Sequence, residues 1–244
     1  MPYFINNLNQ KIAYKYYRGK SPGIIFIHGL SSDMQGSKAL HIEKYAKLNK
    51  INFIKFDCRG HGKSFGKFED FTIEDWKKDL LDILDNIAKG PQILIGSSMG
   101  GWLMLLAVLK RKSKIHSLIG LAAAPDFTKY MFRDFPKKNK NDLKKLGITS
   151  VKLGDYKYTF KKKFFAEGNK NLVLNKKINF NKSMILIHGL KDLTVPHNEA
   201  IKILKKTNSK NIQIRYLKDS DHSLSSTSDL KVIINAISEI RAKQ

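Results

Sequence analysis

A chain of 244 residues that is 42% hydrophobic is long enough for one large domain, and its apolar runs are far shorter than the ~18 residues of a membrane helix, which excludes a transmembrane segment. The formal net charge of +24 invites a nucleic-acid or anionic-surface reading, yet only Arg18, Arg59, Arg111, Arg133, Arg215 and Arg241 among the 45 basic residues are Arg. A surface that reads bases would favour the guanidinium fork, so the excess of Lys fits a compositional drift toward Lys, Ile and Asn, and no specific nucleic-acid partner is expected.

In chain order, residues 1–10 carry Asn and Gln where a signal peptide would carry a basic start and an apolar middle, so no secretion signal is expected. Residues 11–17 alternate tyrosines with small or basic residues, as an edge strand does. Gly23 opens the run Ile24, Ile25, Phe26, Ile27, apolar throughout like a strand buried on both faces, and His28-Gly29-Leu30 ends it. Residues 37–50 have helical spacing, and residues 52–57 form a second strand that enters the glycine-rich turn around Gly60, His61 and Gly62. Thr72 can cap a helix reaching Lys89, with Leu80, Leu81, Leu84 and Ile87 as its apolar stripe. One cysteine, Cys58, excludes an internal disulfide and suits a reducing compartment.

The next stretch organises the chain. Residues 93–95 are apolar and β-branched or Leu, Gly96-Ser97-Ser98-Met99-Gly100 follows, and residues 103–109 are good helix formers. Strand, sharp turn and helix in that order make GxSxG read as a nucleophile elbow, with Gly96 and Gly100 as the small neighbours that a strained Ser98 requires. Residues 117–122 add another buried strand, so the order is β, α, β, α, β, α, β, which predicts an α/β fold with a mostly parallel sheet covered by helices on both faces.

Residues 129–182 break this rhythm. They hold fifteen Lys and one Arg against Asp134, Asp142, Asp155 and Glu167, a net +12, with Tyr130, Phe132, Phe135, Tyr156, Tyr158, Phe160, Phe164, Phe165 and Phe180 scattered among them. Within a single domain spanning residues 1–244, residues 125–182 are expected to form an inserted cap whose aromatic side chains pack mainly with each other. Regularity returns with strands at 184–189 and 212–217, a helix from Pro196 to about Lys206 and a closing helix at 230–240.

A serine hydroxyl needs a base to take its proton, and the base needs an acid to orient it. Asp192 follows the late strand and His222 follows the last one, giving the Ser, Asp, His chain order of strand-elbow hydrolases. Ser98, Asp192 and His222 are therefore the expected catalytic residues, with Asp126 as the alternative acid. The Met99 amide, just after the nucleophile, and the Leu30 amide are the expected oxyanion donors. His28 reads as support for the oxyanion loop and His61 as a loop brace. No metal site is expected, because His41, His116, His188 and His197 lack ligand spacing, and no cofactor is required.

The set formed by His28-Gly29, the turn from Asp57 to Ser64, the elbow at Ser98, Asp192 and His222 resembles the α/β-hydrolase superfamily along nearly the whole chain. Residues 21–26, 38–40, 90–105 and 220–222 look like the mitochondrial acyl-protein thioesterase and acyl-glucuronide esterase group with its bacterial relatives. The resemblance implies a serine hydrolase that cleaves thioesters or activated esters of small molecules or acylated proteins through an acyl-enzyme. The absence of a presequence suits a cytoplasmic member. A peptidase or cofactor-free lyase on the same fold, an anion-binding module and an inactive scaffold are the rival readings, and the residues do not choose between thioester and oxyester.

Overall fold

The computed structural model describes all residues except Gly154, Asp155, Lys243 and Gln244, and the side chains of Leu153 and Tyr156 are also outside the described set. The charge of Asp155 and the ring of Tyr156 are thus not placed. Eight strands form one sheet in the order β1, β2, β4, β3, β5, β6, β9, β10. They are β1 (Tyr3–Ile5), β2 (Lys11–Tyr17), β3 (Lys20–Ile27), β4 (Ile51–Phe56), β5 (Gln92–Ser97), β6 (Ile115–Leu121), β9 (Met184–Gly189) and β10 (Ile212–Leu217). Pairing from β4 to β10 is parallel, while β2 runs antiparallel to both of its neighbours, β1 and β4. The strand at 11–17 is one place in from the edge, because the short β1, too brief to show an alternating pattern, pairs Phe4 with Ile12 outside it.

The central strands β3, β5 and β9 are buried on both faces because helices cover both. In β3, Ile24 and Phe26 face α1 (Ser37–Leu48) and α8 (Thr227–Ala242), where Ala39, Ile42, Ile233 and Ile237 meet them. Ile25 and Ile27 face the opposite layer, which contains Trp76 and Leu80 of α2 (Ile73–Asp82) and Trp102 and Leu103 of α3 (Met99–Arg111). Thr72 does cap α2: its amide donates to the Asp75 carboxylate at 2.9 Å, and the two side chains form a capping box. The helix expected to run to Lys89 instead leaves α geometry at Ile83 and closes in a π turn over Ile83–Ile87. That turn still buries Ile83 and Leu84, so the apolar stripe survives the change of pitch.

Strand order reverses between β3 and β5: α1 carries the chain to β4 on one side, and β5 pairs on the other. The carboxyl ends of β3 and β5 therefore flank the crevice where open α/β sheets build their sites.

Between β6 and β9 lie α4 (Phe127–Asp134), α5 (Lys137–Lys145), the antiparallel hairpin of β7 (Ile148–Leu153) and β8 (Tyr156–Lys161), and α6 (Lys162–Lys170). Phe135, Phe160, Phe164 and Phe165 pack on one another with ring centroids 5.1 to 5.9 Å apart. This small core sits on the main domain through Phe164 against Trp76 and Phe127 against Trp102. The helix α7 (Asn198–Lys206) completes the fold between β9 and β10.

Candidate active site

Ser98 stands between β5 and α3 with φ 51° and ψ −114°, a left-handed conformation that costs a non-glycine residue about 1–3 kcal/mol. The surroundings hold it there. Its amide donates to the Leu121 carbonyl at 2.9 Å, and its own carbonyl accepts the amides of Gly101 and Ala124 at 2.9 and 3.0 Å. The flanking glycines are required by space: a Cβ on Gly96 would stand 2.4 Å from the Gly100 carbonyl oxygen, and one on Gly100 would stand 2.2 Å from that of Ile27.

The loops after β9 and β10 complete the constellation. The Ser98 hydroxyl lies 3.1 Å from His222 Nε2, and His222 Nδ1 donates to Asp192 Oδ2 at 2.7 Å. Since the carboxylate can only accept, Nδ1 carries the proton and Nε2 is free to receive one from Ser98. Asp192 is itself fixed, its Oδ1 accepting the amides of Thr194 and Val195 at 2.8 Å each. Burial favours the neutral carboxyl, but the donors from His188, His222 and Val195 outweigh it and hold Asp192 well below the usual carboxylate range.

His188, dismissed above as lacking ligand spacing, is a second partner of this acid. Buried on β9, its Nε2 lies 3.2 Å from Asp192 Oδ2 and 3.0 Å from the Val195 carbonyl. Its place four residues before Asp192 was the available signal, and only the bend after Gly189 brings the two side chains together. Lys38 of α1, within the stretch 38–40 that carries the resemblance, was given no role from the sequence: its Nζ donates to the Ser223 carbonyl and so ties α1 to the loop that carries His222. Burial lowers its pKa. Nothing in the chain signals a contact between residues 185 positions apart.

The loop after β3 is braced from behind. His28 Nδ1 donates to the Gly29 carbonyl at 2.7 Å and its Nε2 accepts the Cys58 amide at 3.0 Å. His61 Nε2 accepts the Ser31 amide at 3.1 Å, and the two rings lie 4.9 Å apart. Gly29 lets this loop approach, since a Cβ there would come within 3.3 Å of Ser98 Cβ. Leu30, Ser98, His222 and Lys38 line one cavity of about 270 Å³, with Met99 at the N-terminus of α3 next to Ser98. Asp126 does not pair with His222: it accepts the amides of Val173 and Leu174 at 2.8 and 3.0 Å and so ties the start of α4 to the segment before β9. Asp221 bonds Ser223 instead of the His222 ring. Among the described residues no three His, Cys, Asp or Glu side chains converge as a metal site would need.

Burial also sets an acid limit. It takes His61 down to about 3, with the neighbouring His28 adding to the effect, whereas the unfolded chain would protonate it near 6.5. The unfolded state therefore takes up a proton that the folded state refuses. The stability from neutral His61 is complete above pH 6.5 and is lost as pH falls, at a limiting ~1.4 kcal/mol per pH unit for one group. Asp79, raised by burial, contributes with the opposite sign, so the variant comparison isolates the histidine. Between pH 7.5 and pH 5 the urea midpoint of the wild type is expected to drop relative to that of His61→Gln, in which the Asp79 contribution is retained; a midpoint difference that does not change with pH would refute the assignment.

A strand-elbow serine linked to a histidine and an aspartate at the carboxyl ends of parallel strands defines a class, and comparison agrees with it. The Hydrolase_4 family model, described as serine aminopeptidase, S33, matches residues 21–160, more than half the chain. The chain belongs to the α/β-hydrolase family and is a hydrolase. Within that family it is 37% identical over 234 residues to the rat protein named palmitoyl-protein thioesterase ABHD10, mitochondrial, across 94% of this chain and 78% of the rat one. The human protein of the same name is 37% identical over 233 residues, 94% and 76% of the two chains. The solved structure of mouse alpha/beta hydrolase domain-containing protein 10 superposes with a TM-score of 0.92 at 33% identity, covering 99% of this chain and 98% of that one. A putative hydrolase from Agrobacterium vitis S4 gives 0.91 at 28% identity, covering 95% and 93%.

Proposed function

We propose that the enzyme hydrolyses S-acyl thioesters, long-chain acyl groups on protein cysteines among them, through an acyl-enzyme on Ser98. It is a hydrolase of ester or thioester bonds, and the hydrogen-bonded path from Ser98 through His222 to Asp192, at 3.1 and 2.7 Å, carries the reading. His222 Nε2 takes the hydroxyl proton as Ser98 Oγ attacks the acyl carbonyl, and Asp192 steadies the imidazolium that forms. The amides of Leu30 and Met99 donate to the developing oxyanion. His222 then passes its proton to the departing sulfur or oxygen. Water, deprotonated by the same ring, attacks the acyl-enzyme and regenerates Ser98. A thiolate leaves with little help from the acid, which suits a site whose base is shared between both half-reactions.

Residues 125–182 act as the cap. The hairpin supports this, since Lys157, Tyr158 and Thr159 of β8 share a second cavity, of about 350 Å³, with Ser31, Ser32 and Asp33 behind the oxyanion loop. The natural substrate is a small molecule or an acylated protein, with no nucleic acid and no cofactor in the reaction. The single buried thiol, Cys58, supports a cytoplasmic setting, although the relatives above are mitochondrial by name.

Steady-state rates on thioesters and oxyesters of two to sixteen acyl carbons test the substrate class. kcat/KM is expected to rise with acyl length and to favour thioesters over matched oxyesters. An optimum at acetyl or aryl esters would make it a small-molecule esterase, and turnover of aminoacyl anilides alone would make it a peptidase; either outcome overturns the thioesterase reading.

A further inference from the structure

Half of the net positive charge, +12 of +24, lies in residues 129–182, fewer than a quarter of the chain, so the excess is local as well as global. Within this segment the turn between α5 and β7 protrudes. Gly147 has φ 73°, and a Cβ built there would meet nothing within 4 Å. Leu146 beside it is 71% exposed and Ile148 39%. Lys144 and Lys145 precede Leu146, and the Lys162 amide donates to the Gly147 carbonyl at 2.8 Å, which brings a third lysine to the base of the turn. All three lysine side chains are exposed, and none joins an ion pair among the described residues. Among the described residues nearby, Asp134 of α4 pairs with Arg133, and Asp142 is the one carboxylate on α5.

An exposed leucine at the tip of a convex turn costs solvation in water and gains burial in a bilayer, and lysines around its base meet lipid phosphates at headgroup depth. We propose that the turn formed by residues 144–148, with Lys162, docks the enzyme on anionic lipid bilayers. The lysines supply attraction to the negative surface and Leu146 enters the acyl boundary. A nucleic-acid partner fits less well, because the insertion holds a single Arg and the turn exposes an apolar side chain, Leu146, among its lysines. The proposal does not depend on the thioesterase reading, since binding is read without catalysis.

Flotation of the purified full chain with vesicles of phosphatidylcholine, alone or with 40% phosphatidylglycerol, tests it. The protein is expected to float with the anionic vesicles at low salt and to be released at high salt or from the neutral ones. Leu146→Ser should weaken partition by about tenfold, and the pair Lys144→Gln with Lys145→Gln by a similar factor. Both should hydrolyse a water-soluble ester at the wild-type rate, and the lysine pair remains a valid test if Leu146→Ser misfolds. Equal flotation with neutral vesicles, no flotation at low salt, variants that float like the wild type, or displacement from anionic vesicles by a 20-nucleotide RNA would each overturn the proposal.

Discussion

Replacing Ser98 with Ala is expected to lower kcat by about 10⁵ to 10⁶-fold and to abolish labelling by a fluorophosphonate, while the melting temperature moves by no more than a few degrees. The reason lies in the elbow. Alanine at φ 51° carries the same backbone strain as serine, and the three backbone hydrogen bonds that hold the turn involve only main-chain atoms. What disappears is the nucleophile itself, leaving His222 Nε2 without its 3.1 Å partner. Intact-mass detection of the phosphonate adduct, alongside kinetics on a soluble thioester, reads both effects. A variant that keeps a tenth of wild-type kcat would remove Ser98 from the reaction.

Asp192→Asn should cost about 10⁴ in kcat, with little effect on KM. Two backbone amides, from Thr194 and Val195, already claim Oδ1, so the asparagine oxygen stays on that side. Its NH₂ group then occupies the position of Oδ2, where His222 Nδ1 and His188 Nε2 now point their protons. A donor facing donors cannot hold the Nδ1 tautomer, and the ring that should accept from Ser98 is left protonated on the wrong nitrogen. His188→Ala removes only one of several donors to the acid and is expected to lower kcat by about tenfold. Stopped-flow measurement of acylation checks both. An Asp192→Asn enzyme within tenfold of wild type would show that another group orients the base.

Much of this site was legible in the chain. Ser98 was marked by small neighbours between a β-branched run and a helix, Asp192 by its place after the apolar run of β9, and His222 by its place after the last strand, residues 212–217. His28 and His61 were correctly read as braces, since their glycine-rich surroundings form turns that need fixed support. The β7–β8 hairpin was hidden because polarity and burial disagree where it starts: Ile148 is exposed and Thr149, opposite Phe160, is buried. The π turn after Asp82 was invisible because it preserves the apolar stripe of an α-helix.

The amino-acid sequence by itself determined the parallel α/β layering, the strained nucleophile turn and the order of serine, acid and base, because each follows from periodicity or from steric limits within a few residues. Only the tertiary structure decided which acid serves His222, since Asp126 and Asp192 both end parallel strands and differ in what lies beside them. It also decided that His188 supports that acid and that Lys38 holds the His222 loop. These choices depend on the register of strands far apart in the chain, where a shift of one residue would turn each side chain to the other face of the sheet.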